Sequence, residues 1–166
     1  MKLTGSTQPW IFRLCTLLTA FVGIWFIYLL GRGIGGHWLK GLLVAMIAIT
    51  SPVYAYYANG FIPSIPAITF GIIGLWFYVK HIDSVNSKKY FNLSILFITL
   101  SVLVRTSLAV LLVAVLAFEF LRFVRKETTL WNKVPSIVLS AATIFGYMLW
   151  NKHLRETYDT MFLSSL

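Results

Sequence analysis

The strongest constraint on this chain is its series of long apolar runs, which are separated by short polar connections. A helix needs about 20 apolar residues to cross a hydrocarbon core about 30 Å thick. Four runs reach or approach that length, and each ends at Gly, Pro, Asn or a charged residue. They cover residues 11–30, 41–58, 65–79 and 134–150. The pattern predicts helices that span a membrane.

Composition excludes a soluble domain. Apolar residues make up 58% of the 166 residues and charged residues 11%, whereas soluble domains carry about 25% charged residues. One core of this size cannot hide so much apolar surface from water. The net charge of +9 comes from short Lys and Arg clusters between the apolar runs, which predicts topology signals and no nucleic-acid partner. We therefore expect a single transmembrane domain over residues 1–166, surrounded by membrane lipid.

The apolar region over residues 91–124 is too long for one span. A straight helix of that length would measure about 50 Å, well beyond the hydrocarbon core. The polar tripeptide Arg105-Thr106-Ser107 lies near its middle. We predict a hairpin of two short helices, about 14 residues each, that meet at this tripeptide.

The distribution of basic residues supports the hairpin, because Lys and Arg concentrate in cytoplasmic connections. With a hairpin, nine of the 14 Lys and Arg residues fall on one side of the membrane. The prediction is an all-α, polytopic transmembrane helical bundle of about six membrane segments, with both termini and the tip at Arg105 outside. The remaining outer segments would be residues 55–64 and 151–166. The nine cytoplasmic residues are Arg32, Lys40, Lys80, Lys88, Lys89, Arg122, Arg125, Lys126 and Lys133.

Gly31, Gly33 and Gly36 spell a G-x-G-x-x-G pattern, which elsewhere can mark a dinucleotide site. Here the pattern follows a membrane span, and no acidic residue lies about 20 residues further on to hold a ribose. We interpret it as a flexible cytoplasmic turn and assign no cofactor.

Isolated titratable residues give weak signals. The histidines at positions 37, 81 and 153 lie at span ends without partners at metal-ligand spacing, so we expect interfacial residues and predict no metal site. Glu119 and Arg122 stand three positions apart near the cytoplasmic interface, a spacing typical of a snorkelling ion pair.

Arg105 and the outer connection leave two interpretations open. A cation so far from the basic clusters costs at least a few kcal/mol unless water, protein or an anion neutralises it, yet it could also snorkel from a short helix. Residues 51–66 combine three prolines and Asn59-Gly60 with three tyrosines. Such a segment is compatible with a groove for a polar ligand or with an ordinary interfacial aromatic belt.

The order of these features resembles a known family. A span is followed by a Gly-Arg turn, a span that ends in Ser-Pro-x-Tyr, and an outer loop with Tyr-Tyr and Pro. The chain resembles membrane glycosyltransferases of the GT-C type, and more narrowly the bacterial branch similar to dolichyl-phosphate-mannose protein mannosyltransferases and lipid A aminoarabinose transferases. The resemblance covers almost the whole chain. It is carried by residues 10–14, 28–32, 51–52, 56–57, 61–64 and 99–107.

The resemblance implies transfer of a sugar from a polyprenyl-phosphate-linked donor to a lipid, glycan or protein acceptor. The expected location is the outer face of the bacterial inner membrane, and Arg105 is expected to contact the carrier phosphate. The candidate substrate-binding residues are Arg105, Tyr56, Tyr57, Asn59, Ser64 and Arg13.

Two departures from the family pattern limit what the resemblance implies. The family's catalytic acid lies upstream of the span that matches residues 11–30, so we assign no catalytic residue. We expect either a fragment of a longer GT-C-type chain or a degenerate relative, inactive alone. Family members often carry Asp where this chain has Ser64. The alternative function is a small transporter or channel-like membrane component, which would also use broken helices and an intramembrane cation.

Overall fold

A computed structural model of the chain describes residues 9–52, 54, 64–83, 87–125 and 133–158. These residues form an all-α bundle, which confirms the predicted fold class. A 3₁₀ turn, Thr106–Leu108, connects the fourth and fifth helices. The helices are α1 (Pro9–Gly35), α2 (Trp38–Thr50), α3 (Ser64–Asp83), α4 (Ser87–Val104), α5 (Ala109–Val124) and α6 (Val134–Tyr158).

Four segments of the described chain are long and apolar enough to cross a membrane, judged by length and composition. The second predicted span, over residues 41–58, is wrong in extent, because α2 has 13 residues and is about 20 Å long. The helix ends at Thr50 because Ser51 precedes Pro52 and takes an extended conformation, with φ −64° and ψ 119°. The four long segments are Arg13–Gly35, Ser64–Asp83, Thr106–Val124 and Val134–Leu154.

The predicted break near Arg105 is confirmed. Arg105 has φ −147° and ψ 108°, which ends α4 before the 3₁₀ turn. The two arms fold back on each other, because Lys133 Nζ lies 5.1 Å from the ring centroid of Phe91, near the start of α4, and 2.5 Å from Glu119 Oε2, near the end of α5. The arms contain 18 and 16 residues, so the prediction of about 14 residues each was too short.

Other helices also run beyond their apolar stretches. The third helix continues to Asp83 rather than ending at residue 79, and α6 continues to Tyr158 rather than ending at residue 150. Part of the predicted outer segment, residues 151–166, is therefore a helical extension. Long basic side chains such as Lys80 and Lys152 carry aliphatic stems, so a helix can continue past the apolar run while the charged group reaches water.

The core lies between α3, α4 and α5, where small residues permit close helix packing. A Cβ atom added at Gly74 would lie 2.6 Å from Ile98 Cγ1 and 3.1 Å from the Ser94 carbonyl oxygen. Nearby, Ser101 Oγ donates a hydrogen bond of 2.7 Å to the Ala67 carbonyl. Small residues and interhelical hydroxyl bonds are the usual means of helix association in lipid. The buried apolar cluster is Tyr78, Phe91, Ile95, Ile98, Val102 and Val115.

The interpretation of the glycine pattern as a turn holds for its last glycine and is wrong for the first two, which are helical. Gly31 and Gly33 belong to α1, and Gly36 alone takes a positive φ of 67° in the turn that follows. A Cβ atom at Gly31 would lie 3.1 Å from Gly41 Cα, and one at Gly41 would lie 2.6 Å from the Tyr28 carbonyl oxygen. The two glycines therefore bring the backbones of α1 and α2 together.

Two contacts fix the direction of α1 against α3. Thr69 Oγ1 donates to the Thr19 carbonyl at 3.1 Å, and the rings of Phe26 and Trp76 are 5.3 Å apart. From the first contact to the second, the residue number increases by seven in both helices, so α1 and α3 run parallel. We call the end of the bundle where α1, α3 and α5 begin the Arg105 end, and the opposite end the Glu119 end.

The last helix packs on the bundle through both polar and apolar side chains. Ser136 Oγ donates to Asn92 Oδ1 at 2.7 Å, and the hydroxyls of Thr99 and Ser140 are 2.6 Å apart. Between α4 and α6 lies a cavity of about 380 Å³ that is lined by five aliphatic and five polar residues. Only 6% of the most apolar part of α6 is buried, so its contact with the bundle is narrow.

Candidate functional site

Arg105 lies at the break between α4 and α5 and reaches across to the start of α3. Its Nη1 atom donates a hydrogen bond to Ser64 Oγ, and Ser64 is 3% exposed. The backbone on either side is also held, because Arg105 N donates to the Ser101 carbonyl and Leu108 N donates to the Arg105 carbonyl, both at 3.0 Å. The structure therefore brings together two of the predicted site residues that are far apart in sequence.

Two helix amino termini converge on this arginine. The third helix begins at Ser64, and the 3₁₀ turn that leads into α5 begins at Thr106. Amino-terminal turns present free N–H groups and the positive end of the helix dipole. Arg105, Thr106 and Ser107 are exposed. A guanidinium and hydroxyl groups beside two such termini form an arrangement that favours an anion, and phosphate above all.

Arg13 lies at a similar level of the bundle but apart from this pair. It is exposed near the start of α1, and no contact between described residues joins it to Arg105 or Ser64. From the contact between Thr19 and Thr69, both Arg13 and Ser64 lie about 8–9 Å towards the Arg105 end. The structure thus gives Arg13 a position near the site without a contact in it.

The outer connection is only partly described. Tyr54 donates a hydrogen bond of 2.9 Å to the Ala20 carbonyl, which fastens the segment after α2 onto α1. The remaining predicted site residues, Tyr56, Tyr57 and Asn59, lie outside the described residues.

A second polar cluster, which we call the Glu119 cluster, lies inside the opposite end of the bundle. Glu119 is 1% exposed and accepts hydrogen bonds from Tyr78 Oη at 3.0 Å, Arg122 Nη1 at 3.2 Å and Lys133 Nζ at 2.5 Å. His81 Nε2 lies 3.3 Å from the same carboxylate. The predicted Glu119–Arg122 ion pair is confirmed. The prediction that the pair snorkels to the interface is wrong for Glu119, because the acid is fully buried among four polar side chains.

The cluster joins three elements of the bundle. Tyr78 and His81 come from α3, Glu119 from α5, and Lys133 from the turn that enters α6. His81 and Lys133 are 3% and 5% exposed, so the prediction of His81 as an interfacial residue was also wrong. A charge is stable at such depth only when it is paired and hydrogen-bonded.

Sequence reasoning had a signal for this cluster but did not use it. An acidic residue inside an apolar helix requires a partner, and the predicted topology placed His81, Lys133 and Glu119 at the same membrane level. Among the described residues, no three His, Cys, Asp or Glu side chains are grouped so that they could hold a metal ion.

Comparison with known proteins gives one match. The family model described as Dolichyl-phosphate-mannose-protein mannosyltransferase matches residues 1–150, which include both Ser64 and Arg105. Comparisons with curated proteins and with solved structures gave no significant match. The resemblance to GT-C-type membrane glycosyltransferases is confirmed by this match over most of the chain. The chain is an integral membrane protein that belongs to the dolichyl-phosphate-mannose-protein mannosyltransferase family.

Proposed function

We propose that the protein takes part in transferring a sugar from a polyprenyl-phosphate-linked donor to a lipid, glycan or protein acceptor. The family match supports membrane glycosyl transfer and favours it over a small transporter or channel-like component. The single structural observation that carries the proposal is the exposed Arg105, held by Ser64 beside two helix amino termini. Its ligand in this proposal is the phosphate of the donor's lipid carrier.

The chemistry of the reaction explains why such a site is useful. Glycosyl transfer passes through a cation-like sugar centre while negative charge develops on the departing phosphate. A guanidinium offers planar, often bidentate, charge-assisted hydrogen bonds to that phosphate. The hydrogen bond to Ser64 orients the guanidinium before the ligand arrives, so less conformational freedom is lost on binding. The base that accepts the acceptor's proton is not assigned to any residue of this chain.

The proposal places the Arg105 end at the outer face of a bacterial inner membrane. Basic residues concentrate at the opposite end of α3, α4 and α5, as cytoplasmic connections usually do. They include Lys80, Lys88, Lys89, Arg122 and Arg125.

Cysteine labelling checks this orientation. In a Cys15→Ser background, we expect Ser107→Cys to react with a membrane-impermeant maleimide in intact spheroplasts, because Ser107 is exposed at the Arg105 end. Lys88→Cys, exposed at the other end, should react only after permeabilisation. The opposite pattern of labelling would contradict the outward orientation of the site.

Binding of polyprenyl phosphate to the purified chain tests the site itself. We expect Arg105→Ala to weaken binding by about tenfold or more, since charge-assisted hydrogen bonds are lost, and Arg105→Lys to keep part of the affinity as a point charge. Arg32→Ala is the matched control, because Arg32 is an exposed arginine near the opposite end of α1. Affinity can be measured by titration in detergent micelles at matched protein concentration.

Thermal unfolding of the same variants separates binding from folding. Removing a cation from a membrane segment does not hinder its insertion, so Arg105→Ala should fold normally. Unchanged affinity in a folded Arg105→Ala variant would refute the phosphate site and leave Arg105 as a snorkelling residue. Equal losses in Arg105→Ala and Arg32→Ala would show that binding depends on overall charge rather than on this site.

A further inference from the structure

A cavity of about 220 Å³ lies between α3 and α5 at the Glu119 end. Three of its lining side chains are large and apolar, and all three are exposed: Ile82 is 42%, Phe118 48% and Leu121 55% exposed. The other lining residues are Arg122 and Arg125. An apolar wall beside two guanidinium groups matches the chemistry of a lipid with an anionic headgroup.

Arg122 is held in place at this cavity. Its Nη1 atom lies 3.2 Å from Glu119 Oε1, and its side chain is 18% exposed. Glu119 also accepts a hydrogen bond of 2.5 Å from Lys133, so one buried carboxylate faces two basic groups. Arg125 follows directly after the end of α5 and is exposed.

The surrounding charge is positive. The described carboxylates at this end of α3 and α5 are Glu119 and the exposed Asp83. The carboxyl ends of α3 and α5 add partial negative charge, but α4 and α6 begin at the same end and offset it. The basic side chains around these helices outnumber the carboxylates, and they are Lys80, Lys88, Lys89, Arg122, Arg125 and Lys133.

We propose that this cavity binds an anionic phospholipid, with the phosphate at Arg122 and Arg125 and an acyl chain along Ile82, Phe118 and Leu121. Arginine pairs bind phosphate through charge-assisted hydrogen bonds, and basic pockets between membrane helices on the cytoplasmic side bind anionic headgroups. A zwitterionic lipid brings its own cation, which reduces the attraction. The site is separate from the one at Arg105, since about 20 Å of helix lies between them.

Lipid binding to the full chain in zwitterionic detergent tests the proposal. We expect phosphatidylglycerol to bind more tightly than phosphatidylcholine. Inorganic phosphate alone should bind more weakly than phosphatidylglycerol. Arg125→Gln should weaken phosphatidylglycerol binding by about tenfold, because one charge-assisted contact is lost. Arg125 makes no described contact with Glu119, so this variant avoids disturbing the buried cluster. The double variant Arg122→Gln with Arg125→Gln should abolish the preference for phosphatidylglycerol over phosphatidylcholine.

The matched control is the double variant Lys88→Gln with Lys89→Gln, which removes two exposed cations at the same end without touching the cavity. It should retain the preference for phosphatidylglycerol. Equal binding of the two phospholipids, or an equal loss in the lysine control, would overturn the proposal in favour of diffuse surface charge. Tight binding of inorganic phosphate alone would instead identify a soluble ligand and overturn the lipid assignment.

Discussion

Replacing Glu119 by Ala is expected to destabilise the folded protein by about 3–5 kcal/mol, because buried basic groups lose the anion that neutralises them. The largest loss of pairing would fall on the Lys133 ammonium group, since Lys133 is 5% exposed and its Nζ atom lies 2.5 Å from the carboxylate. The measurement is the free energy of unfolding in mixed micelles, obtained by denaturant titration. Arg125→Gln, an exposed substitution close to the cluster, serves as the control and should change it by less than about 1 kcal/mol.

A double-mutant cycle distinguishes pairing from simple loss of volume. Lys133→Met alone should also destabilise the protein, whereas combining it with Glu119→Gln removes both charges and should recover part of the loss. Purely additive effects of the two substitutions would show that the carboxylate and the ammonium do not stabilise each other, contrary to the observed contact.

Gly41→Ala is expected to lower stability by about 1–3 kcal/mol, because the new methyl group overpacks the contact between α1 and α2. Its Cβ atom would lie 2.6 Å from the Tyr28 carbonyl oxygen, a backbone atom that cannot move without shifting α1. Thermal unfolding in micelles measures the effect. A second glycine in the same pair of helices provides a matched control.

That control is Gly33→Ala. No atom lies within 4 Å of a Cβ added at Gly33, and alanine favours a helix over glycine by about 1 kcal/mol. Gly33→Ala should therefore be neutral or slightly stabilising. If both variants lost the same stability, the damage would come from helix flexibility or insertion rather than from close packing at Gly41.

The sequence was most informative where bilayer thickness limits the possibilities. An apolar stretch over residues 91–124 cannot cross once as a straight helix, so a break was required, and Arg105-Thr106-Ser107 was the polar candidate near its middle. The structure breaks there. Helix ends were less predictable, because hydropathy marks where apolar residues stop and not where the helical hydrogen bonds stop, as the extension of α3 to Asp83 shows.

Contacts between distant residues account for most of what sequence reasoning missed. The interaction of Glu119 with its neighbour at i+3 was visible in the sequence, but Tyr78 and Lys133 reach it only through the packing of other helices. The same applies to the close approach of Gly31 and Gly41. The local glycine pattern alone indicated a turn and gave no sign of a helix contact at Gly31. Within the candidate site, the importance of Arg105 was predictable, whereas its Ser64 contact required the start of α3 to be known.

The narrow contact of α6 has a consequence for biogenesis. Because only 6% of its most apolar part is buried, its hydrophobic side chains meet a similar environment in the lipid before docking and after it. The insertion machinery can therefore release α6 as an independent span, and docking becomes a later step in a two-stage assembly. That step would be guided by the hydroxyl contact between Thr99 and Ser140 and by the entry of Lys133 into the bundle. Completion of the fold would then depend on polar recognition inside the bilayer rather than on escape from water.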